Sequence, residues 1–329
     1  MKIFITGATG FIGGRLAIRL ADEGHQVHAL IRSRQRAKHL NHPSITLFEG
    51  NLLDKESISR SMQGCDAGYH LAAYARVWSK DPQLPYRVNV EGTSNIFQAA
   101  LDKGLKRVVF TSTGGTLGPS DGGNPVDEDT PRRTGFFNAY EETKTQAEQL
   151  ARDFTGKGLE VVTVNPTRVY GPGLISASAA MTKIIHRYIR GKWRIIPGNG
   201  KKYGNYVYVD DVVEGQILAM AKGRPGERYI TGGENTTYDG FFESLSQVSG
   251  KNFRMVHIRY PLLRVITRIQ YTGARLIGRP PLITPEWIKK YLHHWACTSR
   301  KAEQELGYRI TSLEEGLSKT IEWLRLNQH

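Results

Sequence analysis

The stretch Met1-Lys-Ile-Phe-Ile-Thr-Gly-Ala-Thr-Gly-Phe-Ile-Gly-Gly-Arg-Leu16 decides the fold of this chain. Ile3 to Ile5 have the composition of a short buried strand, and the apolar residues from Phe11 to Ala21 recur at helical spacing. Between them lie Gly7, Gly10 and Gly13. Glycine allows a tight turn and a close approach of backbone to a ligand, and a helix N-terminus offers free N–H groups and the positive end of its dipole. This order of elements predicts a phosphate-binding loop.

A second strand-like run, Gln26 to Ile31, follows the helix and completes a βαβ unit, which favours dinucleotide binding over an ordinary glycine-rich turn. In NAD sites an acidic residue at the end of this strand accepts the ribose hydroxyls of the adenosine. Here Arg32 follows Ile31, and a guanidinium can hold a 2′-phosphate with two donors. The sequence therefore predicts NADP, with NAD as the alternative cofactor. A plain surface role is the other interpretation of Arg32.

Strand-like and helical segments continue to alternate along the chain. The next predicted elements are strands at Ile45 to Glu49 and Gly68 to Ala73, a helix at Asn89 to Asp102 and a strand at Arg107 to Thr111. This alternation predicts an α/β fold, a doubly wound parallel sheet of the Rossmann type. Ligands of such sheets bind beyond the carboxyl ends of the strands, so Asn51 and Leu52 are expected beside the adenine.

At 329 residues, with 39% hydrophobic and 23% charged residues, the chain has the composition of a folded globular protein. It has no run of about 18 apolar residues, the length that a transmembrane helix needs. No signal-peptide pattern is present. The two cysteines, Cys65 and Cys297, do not make a disulfide framework. We therefore expect a cytoplasmic location.

The net charge of +14 is concentrated in two stretches without acidic residues, 161–209 and 254–285. A solvated basic face is the first interpretation, attraction of an anionic substrate the second, and contact with an anionic membrane surface the third. No nucleic-acid-binding module is recognisable, so no nucleic-acid partner is expected. No metal is predicted either, because no histidine falls in a metal-binding pattern; the adjacent His293 and His294 would point about 100° apart on a helix.

Two groups of polar residues indicate the chemistry. Thr111-Ser-Thr-Gly-Gly115 forms a hydroxyl cluster at the carboxyl end of a predicted strand, and Asn138 opens a predicted helix with Glu141 as its capping-box partner. Tyr140 and Lys144 share one face of this helix. A free tyrosine has a pKa of about 10, and we expect Lys144 to lower it so that the phenol exchanges a proton with a substrate near neutrality.

With these residues the chain resembles the extended short-chain dehydrogenase/reductase superfamily over nearly its whole length. The nearest branch holds dihydroflavonol-4-reductase-like, 3β-hydroxysteroid dehydrogenase-like and hopanoid-associated sugar-epimerase-like proteins. The motifs that carry the resemblance are Thr6-Gly-Ala-Thr-Gly-Phe-Ile-Gly13, His70-Leu-Ala-Ala73, Phe110-Thr-Ser-Thr113, Tyr140-x-x-x-Lys144, Asn165-Pro-Thr-Arg-Val-Tyr-Gly-Pro172 and Tyr206-Val-Tyr-Val-Asp-Asp211. The segments 226–235 and 299–308 support the placement in this branch.

The resemblance implies an enzyme with a catalytic set of Thr113, Tyr140, Lys144 and Asn89. It implies that the dinucleotide is contacted by Gly7, Thr9, Gly10, Phe11, Ile12, Gly13, Arg32, Asn51, Leu52, Leu71, Ala72, Ala73, Thr111, Tyr140, Lys144, Pro166 and Val169. We expect a dinucleotide-binding domain of residues 1–173, 205–232 and 293–329, and a substrate lobe of residues 174–204 and 233–292, where the regular alternation is lost. Family members often form homodimers through the helix with the Tyr/Lys pair.

The expected activity is NADP-dependent reduction of a ketone or aldehyde, or oxidation of the matching secondary alcohol, on an apolar or anionic small molecule. The apolar residues and interleaved arginines of 260–277 fit an ordinary core, an apolar substrate pocket or an amphipathic membrane-facing helix. A nucleotide-sugar epimerase or dehydratase with tightly bound NAD is the alternative. However, Tyr203-Gly-Asn205 stand where such enzymes usually carry an arginine. A nicotinamide-sensing regulator is a further alternative, although such proteins tend to lose the Tyr/Lys pair.

Overall fold

The structure, a computed structural model, describes residues 1–76, 79–175, 179–277 and 285–327. In chain order the strands are β1 (Lys2–Thr6), β2 (Gln26–Ile31), β3 (Ile45–Glu49), β4 (Ala67–His70), β5 (Arg107–Thr111), β6 (Glu160–Pro166), β7 (Arg168–Tyr170), β8 (Ile195–Pro197), β9 (Tyr203–Tyr208), β10 (Arg228–Thr231), β11 (Glu234–Thr237) and β12 (Val256–Ile258). The helices are α1 (Phe11–Asp22), α2 (Lys55–Met62), α3 (Leu84–Tyr86), α4 (Gly92–Asp102), α5 (Ala139–Thr155), α6 (Ala180–Ile189), α7 (Val209–Lys222), α8 (Tyr238–Ser249), α9 (Tyr260–Ile277), α10 (Pro285–Lys290), α11 (Arg300–Leu306) and α12 (Leu313–Leu326). Short 3-10 helices occupy Arg34–Leu40 and Gly114–Thr116, and Arg87–Glu91 forms a π-helical turn.

The central sheet has the strand order β3-β2-β1-β4-β5-β6-β10, and every neighbouring pair in it is parallel. This arrangement confirms the predicted α/β fold. The chain reverses its direction of strand addition between β1 and β4, and the crevice above such a reversal is where open α/β sheets bind ligands. The crevice therefore opens between the carboxyl ends of β1 and β4.

Helices cover both faces of the sheet. Alternate residues of a strand point to opposite sides, so one strand can contribute to two buried clusters. Ile3 and Ile5 of β1 belong to a buried cluster with Leu16 and Leu20 of α1. Phe4, between them, belongs to a second cluster that includes residues of α2, α4 and α5. Successive residues of β1 are therefore all apolar from Ile3 to Ile5, rather than alternating between apolar and polar.

Several predicted boundaries agree with the structure, and two do not. β2, β3 and β5 have the predicted bounds. The strand predicted to run to Ala73 ends at His70, because the backbone then leaves the sheet and Ala72 N–H donates to the Thr6 hydroxyl at 3.2 Å. The helix predicted from Asn89 begins as the π-helical turn and becomes α-helical only at Gly92.

The remaining elements form a second layer. β11, β9 and β7 make a small mixed sheet, and β12 pairs with β8. A third buried cluster joins Tyr188 of α6, Phe241 of α8 and Leu317 of α12. The last helix thus packs against helices of the predicted substrate lobe. The proposed division of the chain into two domains stays a prediction.

Candidate active site

The glycine loop lies against the end of β4. Gly7 has a φ of +78°, and its carbonyl accepts a hydrogen bond from Gly10 N–H at 2.8 Å. A Cβ atom at Gly7 would lie 2.7 Å from Ala72 N and 2.8 Å from Leu71 C. A Cβ atom at Gly13 would lie 2.8 Å from the Gly7 carbonyl carbon and closer still to its oxygen. Only glycine fits at both positions. The glycine loop and the segment after β4, both predicted to hold the dinucleotide, are therefore in direct contact.

The N-terminus of α1 faces this loop. Gly10 is the N-cap, and no side chain in the described part of the chain caps the helix, so the N–H groups of its first turn are available to an anion. Phe11 is buried in a small cluster against which Ile12 and Val169 pack, and Thr9 is partly buried in the loop. The close backbone approach and the uncapped helix fit the pyrophosphate of a dinucleotide.

The predicted adenosine-binding residues follow β2 and β3. Arg32 is exposed and makes no ion pair within the described part of the chain, whereas its neighbour Arg34 lies 3.3 Å from a Glu49 carboxylate oxygen. Asn51 accepts a hydrogen bond from Leu53 N–H at 2.9 Å, and the Leu52 side chain is buried. Arg32 is thus a guanidinium at this edge that has no ion-pair partner among the described residues, as is Arg36 in the following turn.

The structure brings Thr113, Tyr140 and Lys144 together at the carboxyl end of β5. Thr113 lies close enough to Tyr140 to lower the pKa of the phenol, and its hydroxyl accepts a hydrogen bond from Gly115 N–H at 3.2 Å. Lys144 is almost completely buried, and its Nζ donates to the Thr111 carbonyl at 2.7 Å. Its Nζ also lies 3.9 Å from the centre of the Phe110 ring. The predicted hydroxyl, phenol and ammonium therefore line one crevice.

Burial dominates the ionisation of this pair. Desolvation raises the pKa of Tyr140 to about 12, although the hydrogen bond with Thr113 opposes this. Desolvation also lowers the pKa of Lys144 to about 7, against the opposing charge of Glu148. The net pKa of the phenol is therefore raised in the protein without dinucleotide, and the expectation that it is lowered toward neutrality is wrong. The cost of placing each charge in an apolar site exceeds the attraction between the two groups.

Asn138 positions the first turn of α5. Its Oδ1 accepts a hydrogen bond from Glu141 N–H at 3.0 Å, as predicted. The reciprocal bond differs, since the Glu141 carboxylate accepts from Phe137 N–H at 3.1 Å rather than from the backbone of Asn138. This buried carboxylate also pairs with Arg132 at 2.8 Å and with Lys290 at 2.6 Å. The turn that holds Tyr140 is thus anchored by residues from three parts of the chain.

Asn89 supports the site rather than lining the catalytic hydroxyls. Its Oδ1 accepts from Tyr74 N–H at 2.7 Å, and its Nδ2 donates to the Thr143 hydroxyl at 3.0 Å. It therefore joins the segment after β4, which includes Ala73, to the helix with the Tyr/Lys pair. Pro166 ends β6, and its carbonyl oxygen lies 3.4 Å from the position that a Cβ atom of Gly114 would occupy.

Sequence reasoning missed Glu148, a buried carboxylate one helical turn beyond Lys144. One of its oxygens accepts hydrogen bonds from Ser112 at 2.5 Å, Thr116 at 2.8 Å and Asn165 at 2.7 Å. Ser112 is thereby directed away from Tyr140, which leaves Thr113 as the hydroxyl beside the phenol. The spacing of four residues from Lys144 was the available signal, because it places Glu148 on the same helix face.

The comparisons with known proteins agree with this geometry. The family model described as NAD dependent epimerase/dehydratase family matches residues 3–232. The chain belongs to this family. It is 32% identical over 98% of its length, and 94% of the relative, to a protein of Synechocystis sp. named putative dihydroflavonol 4-reductase. It is 29% identical over 96% of its length, and 95% of the relative, to 4-hydroxy-2-methyl-3-oxo-4-farnesyl-3,4-dihydroquinoline-1-oxide ketoreductase of Stigmatella aurantiaca.

Among solved structures, UDP-glucose 4-epimerase of Thermotoga maritima with UDP-glucose superposes with a TM-score of 0.82 at 26% identity, and all of both chains is covered. The family thus includes relatives named as reductases and relatives named as nucleotide-sugar epimerases. The chain is accordingly an enzyme of the extended short-chain dehydrogenase/reductase type that uses a nicotinamide cofactor and acts on a small molecule. No nucleic-acid partner is indicated.

Two further findings concern features outside the crevice. None of the helices in the described ranges is both long enough and apolar enough to cross a membrane. Within the same ranges, no three His, Cys, Asp or Glu side chains gather into a set that would hold a metal ion. Leu262, Val265 and Ile269 of α9 are each more than half exposed, so one face of this helix presents apolar side chains to solvent.

Proposed function

We propose that this protein is an NADP-dependent oxidoreductase that reduces a ketone or aldehyde by means of Thr113, Tyr140 and Lys144. The single observation that carries the proposal is the buried Lys144, whose Nζ donates to the Thr111 carbonyl at 2.7 Å, two residues before Thr113 and one helical turn after Tyr140. This lysine fixes the end of β5 against α5, so the Tyr140 phenol and the Thr113 hydroxyl can both reach one carbonyl oxygen. The bound nicotinamide supplies the hydride.

Each residue has one task in this mechanism. Thr113 donates to the substrate oxygen and fixes its position. Tyr140 holds a proton at its hydroxyl oxygen, since burial raises its pKa to about 12, and gives that proton to the oxyanion as the carbonyl is reduced. An alkoxide is more basic than a phenolate, so the transfer is downhill. Lys144, one helical turn below, stabilises the phenolate that remains, and Asn89 keeps the surrounding segments in place.

The direct test is NADPH consumption with a panel of ketones and aldehydes, followed by the nicotinamide absorbance. We expect Tyr140→Phe and Thr113→Val to lower kcat/KM by about 10²- to 10⁴-fold, the usual range for lost proton transfer. The exposed Tyr86 provides a matched control, and Tyr86→Phe should leave the rate unchanged. Unchanged activity in Tyr140→Phe would refute the catalytic set.

The preference for NADP is assigned to Arg32. This guanidinium is exposed and unpaired among the described residues, so it can meet a 2′-phosphate without giving up another partner. Replacing Arg32 with serine should raise the KM for NADPH about tenfold and change that for NADH little. Arg34→Ser is the control, because Arg34 is paired with Glu49. Equal effects on both coenzymes would overturn the assignment.

A nucleotide-sugar epimerase is the second candidate, favoured by the likeness to the UDP-glucose 4-epimerase structure. Such an enzyme would convert UDP-glucose to UDP-galactose without net consumption of NADPH. Coupled detection of UDP-galactose distinguishes the two activities. A nicotinamide-sensing regulator ranks below both, because the chain retains Tyr140 and Lys144.

The remaining parts of the proposal concern location and partners. We assign the protein to the cytoplasm on the basis of its cysteine usage, and propose a homodimer formed through α5. The exposed apolar face of α9, together with Arg259 and Arg264, supports peripheral contact with an anionic membrane surface. Chemical crosslinking and vesicle binding test the last two points.

A further inference from the structure

A second group of polar side chains lies on the small mixed sheet beside the catalytic crevice. Strands β7 and β9 pair in parallel with Arg168 opposite Tyr206. Two residues before Tyr206, a Cβ atom at Gly204 would lie 2.5 Å from Nη1 of Arg168 and 2.9 Å from its guanidinium carbon. The guanidinium therefore lies directly over Gly204, and any larger residue there would displace it.

Two buried tyrosines hold this guanidinium. Nη1 of Arg168 donates to the Tyr206 hydroxyl at 3.2 Å, and Nη2 donates to the Tyr238 hydroxyl at 2.9 Å. The guanidinium also lies 5.4 Å and 5.0 Å from the centres of the two rings. Because both phenol oxygens act as acceptors toward Arg168, each retains an O–H that finds no acceptor among the described residues. Arg168, Tyr206 and Tyr238 together are called the cradle. The hydrogen-bonding groups that the cradle leaves unused are donors.

The charge of this cradle has no counter-ion among the residues that the structure describes. No carboxylate in the described ranges lies within ion-pairing distance of Arg168. The neighbouring carboxylate, Glu141, is fully buried and already pairs with Arg132 and Lys290. Burial and the nearby Arg168 lower the pKa of Lys290, whereas Glu141 raises it. A partly buried cation without a counter-ion is unfavourable unless a ligand supplies the negative charge.

The cradle is close to the catalytic residues. Gly114 follows Thr113, and a Cβ atom at Gly114 would lie 3.1 Å from the Thr167 side chain, which precedes Arg168. Glu141, which follows Tyr140 in the sequence, pairs with Lys290. Lys290 in turn lies near enough to Arg168 for the guanidinium to lower its pKa. The segments that hold Thr113 and Tyr140 therefore adjoin the strand that holds Arg168, and a small molecule with its carbonyl at the first two residues would extend toward the guanidinium.

We propose that Arg168, Tyr206 and Tyr238 form a subsite for an oxyanion of the substrate, a carboxylate or a phosphate group. This inference rests on the proposed function and adds the substrate class to it. An oxyanion carries only acceptors, so it satisfies the guanidinium and the two phenol O–H groups at once. The subsite selects anionic carbonyl compounds over neutral ones of the same shape.

Matched substrate pairs test this selection. Levulinate is compared with methyl levulinate, and dihydroxyacetone phosphate with dihydroxyacetone, using kcat/KM for the wild type, Arg168→Met and Arg168→Lys. We expect the wild type to prefer the anionic member of at least one pair about 10- to 100-fold, the value of a charged hydrogen bond. Which pair shows the preference identifies the anion as carboxylate or phosphate. Arg168→Met should abolish the preference through KM, Arg168→Lys should retain part of it, and the exposed Arg187→Met should leave it intact.

Calorimetry separates this inference from the proposed function. Inorganic phosphate and levulinate are titrated into the enzyme saturated with its dinucleotide, so that the glycine loop is already occupied. If no ketone is reduced, the reductase proposal fails, yet anion binding that is about tenfold weaker in Arg168→Met still supports the subsite. Thermal unfolding establishes that the variant is folded. Absence of any anion preference and of anion binding, or binding that Arg168→Met does not weaken, overturns the subsite.

Discussion

Replacing Gly13 with alanine tests the dinucleotide crevice most directly. The added Cβ would lie 2.8 Å from the Gly7 carbonyl carbon, whereas non-bonded carbons pack at about 3.5–4.0 Å. The clash is with backbone, so α1 must move away from the loop by about 1 Å. A displacement of this size in a positioned site costs about 10²-fold, or about 2.7 kcal/mol. We therefore expect the Kd for NADPH to rise about a hundredfold, while the better helix propensity of alanine partly offsets the loss of stability.

Gly14→Ala is the matched control, because it makes the same change one residue further along α1. Its Cβ would lie 3.0 Å from Nε2 of His39 and 3.1 Å from the Ala8 carbonyl oxygen, so shifts of a few tenths of an ångström relieve both contacts. Its Kd should change less than about threefold. Calorimetric titration of both folded variants with NADPH measures the difference. Equal affinities in the two variants would refute the argument that Gly13 sets the loop for the pyrophosphate.

Three further predictions follow from the buried pair and from α9. Between about pH 7 and 8.5 the unfolded chain holds a proton on Lys144 that the folded protein has lost, so the free energy of unfolding should rise about 1.4 kcal/mol per pH unit. Urea titrations should show that Lys144→Met lacks this slope; equal slopes would contradict the buried, neutral lysine. Glu148 raises the Lys144 pKa, so Glu148→Gln should move the onset of the slope to lower pH, and an unchanged onset would count against that coupling. The protein should co-sediment with phosphatidylserine-containing vesicles and not with phosphatidylcholine alone, and Leu262→Gln with Ile269→Gln should weaken binding; indifference to lipid charge would remove the membrane proposal.

The local order of the chain could be predicted from the sequence. β2, β3 and β5 have the predicted bounds, and α5 begins where Asn138 caps it, because apolar periodicity and capping depend on residues within a few positions of one another. The Tyr140 and Lys144 pair could also be placed on one face, since helical geometry fixes that relation. Gly7 and Gly13 predicted the loop because a glycine-rich turn between a strand and a helix also depends on neighbouring residues.

Tertiary structure decided the features that depend on residues distant in sequence. The pKa of Tyr140 is raised rather than lowered, because desolvation by the packed crevice exceeds the effect of a neighbour on its own helix. Glu148 turns Ser112 away from the site, and Gly204 makes room for Arg168 across two strands. Such contacts depend on which segments the fold brings together, and spacing along a single chain carries no direct record of them. The sequence by itself determined which residues could do chemistry, and the packed sheet determined which of them meet.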